Sequence, residues 1–219
     1  MVPLKERVTV VCGHYGTGKT NLSINLAIEC ARAGEDVTLI DLDVVNPYFR
    51  SADYADVLTM EGVRVIGPNF ANTNLDTPSL PGAISGYLEM GKRVIVDVGG
   101  DDAGATALGV YSRQVMGAKP EVIYVINRYR SLTTTPEEAV EILREIESTA
   151  RIKATALVNN SHLKQHTDAK VIEDSIPFAE EVSRMTGLPL LFSTAPRDVF
   201  LNNIERIHPI DVYVRTPWE

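Results

Sequence analysis

Val8-Thr9-Val10-Val11-Cys12-Gly13-His14-Tyr15-Gly16-Thr17-Gly18-Lys19-Thr20 reads as a β-branched strand, a glycine-rich turn and the first turn of a helix. From Gly13 onward it satisfies G-x-x-x-x-G-K-[ST] without a gap. Glycines let such a loop curl until its N–H groups point inward, and the positive end of the following helix adds to the field, so a chain of phosphates can be held there. Gly13, His14, Tyr15, Gly16, Thr17, Gly18, Lys19, Thr20 and Asn21 are therefore the expected nucleotide-binding run. Lys19 supplies the charge for the outer phosphates and Thr20 a hydroxyl for Mg2+. The apolar residues after Asn21 recur at helical spacing and stop at Gly34, a suitable C-terminal cap.

Outward from this stretch the chain alternates short apolar runs with helical segments. The runs are 8–12, 37–42, 63–66, 94–98, 122–126, 154–158 and 188–192. They are mostly continuous rather than alternating, which is the pattern of strands covered on both faces. A doubly wound α/β fold with a mainly parallel sheet and helices on both faces follows, as one domain over residues 1–219. Thr135-Pro136-Glu137-Glu138 opens the clearest helix, with Thr135 as cap, Pro136 in the first turn and Glu138 closing a capping box; it is expected to run to about Thr149. A second helix is expected over 105–117, and a broken one over 168–187, interrupted before Pro177.

In such folds ligands bind beyond the carboxyl ends of the strands. Asp41-Leu42-Asp43 ends the second run and Asp97-Val98-Gly99-Gly100 ends the fourth. A phosphate-bound Mg2+ takes hard oxygen ligands, and transfer of a phosphoryl group to water needs a residue that orients the nucleophile. Asp41, Asp43 and Asp97 are the candidates, with Lys19 and Asp43 as the expected catalytic pair. Gly99-Gly100 would let the loop backbone approach the outer phosphate. Asn159-Asn160 ends the sixth run and Ser193-Thr194-Ala195-Pro196-Arg197-Asp198 follows the seventh. An Asn side chain offers both donor and acceptor to the edge of a purine.

A net charge of −8 argues against nucleic acid or anionic lipid as a partner held by bulk charge. Nor does any apolar run reach the ~20 residues of a membrane span, so a cytoplasmic protein with no membrane association is expected. Cys12 and Cys30 read as core residues without a C-x-x-C partner.

Taken together, the loop, the Asp-Leu-Asp, the Asp97 strand end with its glycines, the Asn after the sixth run and the Pro196-x-Asp198 resemble the MinD/ParA group of P-loop ATPases over nearly the whole chain. The resemblance implies ATP and Mg2+ as cofactors, slow ATP hydrolysis, a first switch containing Asp43 and a second starting at Asp97. It also implies an adenine pocket lined by Asn159, Pro196 and Asp198. A nucleotide-dependent homodimer and a client protein, exchanging ATP-bound and ADP-bound states, would be the partners. His14 stands where the group usually carries a lysine that crosses to the partner's nucleotide. A histidine there is mostly neutral at neutral pH, so association is expected to tighten as pH falls towards 6. Against a membrane-binding member, the end of the chain, residues 211–219, is too mixed to form an amphipathic helix. The alternative is an ATP-dependent small-molecule ligase resembling dethiobiotin synthetase.

Three further features stand outside these motifs. His162 and His166 lie four apart but have no third metal ligand in sight, and read as a solvated polar loop. The connection over residues 67–82 is long enough to be a partner or substrate surface. Arg128 and Arg130 follow the fifth run and are candidates to meet phosphate or a partner acid.

Overall fold

The computed structural model describes residues 4–43, 51–67, 84–89, 91–100, 102–201 and 204–214. Most of the 67–82 connection, the start of the loop after Asp43 and the last five residues lie outside these.

Eight parallel strands form one sheet among the described residues: β1 (Val8–Cys12), β2 (Val37–Asp41), β3 (Val63–Ile66), β4 (Arg93–Asp97), β5 (Glu121–Ile126), β6 (Ala156–Asn159), β7 (Leu190–Pro196) and β8 (Ile207–Ile210). Their order is β3-β2-β4-β1-β5-β6-β7-β8, so β1 lies between β4 and β5 and the chain reverses direction of travel there. That reversal opens the crevice into which the loop after β1 projects. All five residues of β1 and all five of β2 are buried, as the continuous apolar runs predict.

Helices cover both faces. On one face α1 (Lys19–Arg32) buries Leu22, Leu26 and Ile28 against Val11, Leu39, Ile95 and Val158, joined by Leu58 of α2 (Ala55–Met60). The other face packs Val10, Val96 and Tyr124 beneath Leu108 of α4 (Asp102–Val110), Leu143 of α6 (Pro136–Ala150) and Phe178 of α7 (Ala169–Thr186). The remaining helices, α3 (Ile84–Glu89) and α5 (Ser112–Gly117), are short. Tyr124 carries its hydroxyl into the core by donating to the carbonyl of Ala139 at 2.8 Å.

The capping box forms as expected: Glu138 N–H donates to Thr135 Oγ1 at 3.3 Å, and Glu138 Oε2 accepts from Thr135 N–H at 3.2 Å. Three expectations are corrected. The 105–117 helix is two, because Tyr111 (φ −99°, ψ 8°) leaves the helical region between α4 and α5. The helix expected to break at Pro177 is continuous; burial of Ile172, Phe178, Ala179 and Val182 on either side of the proline outweighs the one backbone hydrogen bond it removes. An eighth strand exists at the edge, where Pro209 needs no inner ladder partner.

Candidate functional site

The loop after β1 is shaped by its own backbone and by what is pressed against it. Gly18 takes the left-handed conformation (φ 84°) as the cap of α1, and a Cβ there would run into Asn160 Nδ2. Thr17 Oγ1 and Lys19 Nζ both donate to the carbonyl of His14 at 2.9 Å, which draws the loop into a closed ring. Arg130, from the turn after β5, donates through Nε to the carbonyl of Gly16 at 2.8 Å.

The loop after β4 lies directly across from it. A Cβ on Gly100 would stand 2.6 Å from Tyr15 Cα and 2.7 Å from Lys19 Nζ, so only glycine permits this contact. Asp97 and Asp41 face one another in register on β4 and β2. Asp97 is buried, and Ser23 of α1 donates to its Oδ1 at 3.1 Å, while Oδ2 is buried without a hydrogen-bond partner. Burial first, and then the Asp41 charge, push the Asp97 carboxyl upward; Lys19 and the nearby Thr20 and Ser23 hydroxyls oppose the shift. An orphaned carboxylate oxygen beside a lysine and a threonine hydroxyl fits a hydrated divalent cation, whose charge would reverse the upward shift. No cluster of three or more His, Cys, Asp or Glu ligands occurs among the described residues, so phosphate and water would supply the other ligands.

Asp41, buried at the end of β2, is tied into its own loop. Its Oδ1 accepts from Asp43 N–H and its Oδ2 from Ala52 N–H, both at 2.9 Å, so the carboxylate holds the two ends of the loop after β2. Asp43 itself lines the cleft, its carboxylate against Gly99.

The cleft has a volume of about 540 Å³ and runs from Asp43, Val98 and Gly100 past Lys19, Thr20 and Asn21 to Thr194, Pro196, Asp198 and the chain after β8. Tyr15, Gly16 and Gly18 line it, whereas Gly13, His14 and Thr17 do not. The His14 ring is half-buried, and burial followed by the Lys19 charge moves its pKa below the ordinary histidine value.

Of the two tandem asparagines, Asn160 reaches the cleft and Asn159 does not. Asn159 donates to Ser175 Oγ at 2.9 Å and Ser193 Oγ at 3.1 Å and accepts from Ser161, a buried bolt between β6, α7 and β7. Asn160 donates to the carbonyl of Thr17 at 2.7 Å and accepts from the Thr194 hydroxyl. Successive residues at a strand end point to opposite sides, which is why the pair divides its work.

His162, expected in a solvated polar loop, packs instead beside the glycine-rich loop. Its Nδ1 accepts from Lys164 N–H at 3.2 Å, which assigns the proton of the neutral ring to Nε2. Nε2 stands 3.2 Å from where a Cβ of Gly18 would lie, while His166 sits in a separate exposed turn, so no metal pair forms. Burial, with Arg130 and Lys164 adding to it, lowers the His162 pKa to about 4. Only the fold brings residue 130 to residue 16 and residue 162 to residue 18.

Comparison with known proteins agrees with this geometry. Residues 8–187 match the model of the CobQ/CobB/MinD/ParA nucleotide binding domain. No curated protein matches at a significant level. Among solved structures, the cell division protein FtsY of Thermotoga maritima is similar at a TM-score of 0.59 and 21% identity, covering 96% of this chain and 67% of that one. FtsY of Mycoplasma mycoides is similar at 0.57 and 15%, over 89% and 62%. The signal recognition particle 54 kDa protein of Aeropyrum pernix K1, solved with GDP, is similar at 0.57 and 17%, over 88% and 42%. These likenesses are of fold, and the chain spans two thirds or less of the lengths of the last two. With a family model matching residues 8–187 of 219 and a phosphate-binding loop facing two acidic strand ends, the chain belongs to the CobQ/CobB/MinD/ParA nucleotide-binding family of P-loop NTPases.

Proposed function

We propose that this protein binds Mg-ATP, hydrolyses it slowly, and uses the two nucleotide states to change the surface it offers a client protein. The observation that carries the switch is the seat of Gly100 against Tyr15 and Lys19. A terminal phosphate held by Lys19 has to share that space, so its arrival and departure act directly on the loop after Asp97. Lys19 neutralises phosphate charge, Asp43 orients the attacking water, and Thr20 and Asp97 hold Mg2+, which supplies charge neutralisation when bound. Asp41 tethers the first switch by its two amide contacts.

For ATP rather than GTP the support is the family resemblance and the lack of any Asn-Lys-x-Asp run in the sequence. Titration calorimetry should give tighter binding of ATP than of GTP, and Lys19→Ala should remove most of it, because each charge-assisted phosphate contact contributes about 1.5–3 kcal/mol. Unchanged ATP binding by a folded Lys19→Ala chain would sink the assignment. Asp43→Ala should still bind ATP and release phosphate at least tenfold more slowly. The client, and a homodimer formed around two nucleotides, are part of the same reading; chromatography with ADP, ATP and a slowly hydrolysed analogue tests the dimer.

A second reading has one observation in its favour. Arg130 and Lys164 line the cleft and have no carboxylate partner among the described residues, which would suit an anionic co-substrate of a ligase resembling dethiobiotin synthetase. Phosphate release that requires an added small carboxylate or amine, and no dimer in any nucleotide state, would favour it.

A further inference from the structure

After β8 the chain does not leave the molecule but crosses the first turns of α1, and two asparagines one helical turn apart hold it there. Asn21 donates to the carbonyl of Asp211 at 3.0 Å and accepts from Tyr213 N–H at 2.8 Å and Val214 N–H at 3.1 Å. Asn25 donates to the same Asp211 carbonyl at 2.8 Å and accepts from Asp211 N–H at 2.8 Å. Positions i and i+4 share a helix face, so the two amides together act as a short false strand for the passing backbone. Asn25 is buried and its amide is saturated, with a further bond to the carbonyl of Asn21 at 2.8 Å.

The same strap is tied on its other side to the loop after β7. Arg197 donates to the Asp211 carboxylate at 3.1 and 3.2 Å, and Arg197 N–H donates to the carbonyl of Ile210 at 3.0 Å. Ile210, Val212 and Val214 line the cleft, on the end opposite Asp43 and Gly100. An apolar wall of this kind has nothing to offer a phosphate and matches the flat face of a nucleoside base. Asn21 directly follows the Lys19-Thr20 pair, so the latch joins the phosphate end of the site to this wall.

We infer that residues 210–214 form the nucleoside wall of the cleft and that Asn21 and Asn25 are positioning residues that latch this wall to the phosphate-loop helix. The inference rests on the nucleotide reading above and adds which part of the ligand the strap serves. It follows that loosening the strap weakens binding of a nucleoside triphosphate and spares binding of the phosphate chain alone. A residue that only stabilised the fold would weaken both alike.

The experiment titrates the full chain, with Mg2+ present, against ATP and against inorganic tripolyphosphate. Asn25→Ala should lose about tenfold or more in ATP affinity and change by no more than about twofold for tripolyphosphate. Val212→Ala removes wall surface at a position 55% exposed, where folding is not at risk, and should lose about threefold for ATP alone. Equal losses for both ligands, or no loss for either, in these two variants would overturn the latch. A wild-type chain that binds tripolyphosphate as tightly as ATP would overturn the nucleoside wall, and one that binds neither would overturn the nucleotide reading itself.

Discussion

His162 stands beside the glycine-rich loop, its Nε2 3.2 Å from where a Cβ of Gly18 would lie. Its ring is kept neutral against the phosphate loop by burial and by two neighbouring cations, with a folded-state pKa of about 4 against an ordinary 6.5. A base with a depressed pKa binds protons more readily when unfolded, so its contribution to stability is complete above pH 6.5 and is lost as pH falls towards 4. The wild-type urea midpoint should therefore drop through that window more steeply than that of His162→Gln. Comparing the two chains isolates the ring from the buried Asp41 and Asp97 carboxyls, whose upward shifts act in the opposite sense. Gly100 is the other decisive residue. A methyl group there meets backbone 2.6 Å away at Tyr15, so Gly100→Ala should cost about 1–3 kcal/mol of stability, read as a lower denaturation midpoint without ligand.

Among the elements, α6 is the most locally determined and α7 the least. Every signal at 134–138 agrees with the structure, down to Thr134 N–H reaching Glu138 Oε2 at 2.8 Å. Thr135→Ala removes the acceptor for Glu138 N–H and should cost about 1 kcal/mol, or roughly 2–4 °C in melting temperature for a chain of this size. In α7 the local signal of Pro177 pointed to a break, and packing against β6, β7 and α6 overrode it. β8 is the converse case: Ile207-His208-Pro209-Ile210 has no apolar run, and its strand character comes from pairing with β7 at the sheet edge.

On the scale of the molecule, the site is a meeting of seven strand ends on one rim, so occupancy should stabilise the whole domain rather than one loop. A ligand at about 100 times its Kd adds about 2.7 kcal/mol to unfolding. Thermal melts in excess Mg-ATP should rise by several degrees in the wild type and not in Lys19→Ala. The Arg130 contact to Gly16 couples the β5 rim to the loop. Arg130→Ala should accordingly reduce the ATP-dependent rise while leaving the ligand-free melt within about 1 °C, since surface-loop changes usually cost under 0.5 kcal/mol.

The sequence alone determined the parallel α/β fold, the phosphate loop and the family, because continuous apolar runs, a glycine-lysine pattern and a capping box are local signals that survive any packing. It also named the acidic strand ends. Tertiary structure alone divided the labour among them: Asp43 lines the cleft, Asp41 tethers a loop and Asp97 is buried against Ser23 of α1, while Asn160 rather than Asn159 reaches the cleft. Which way a side chain turns at a strand end depends on pleat and register, and neither is written in the order of residues. The strap over Asn21 and Asn25 was equally unreadable, since residues 186 and 192 positions apart in the chain become neighbours only when the sheet places β8 beside β7 and α1 across its face.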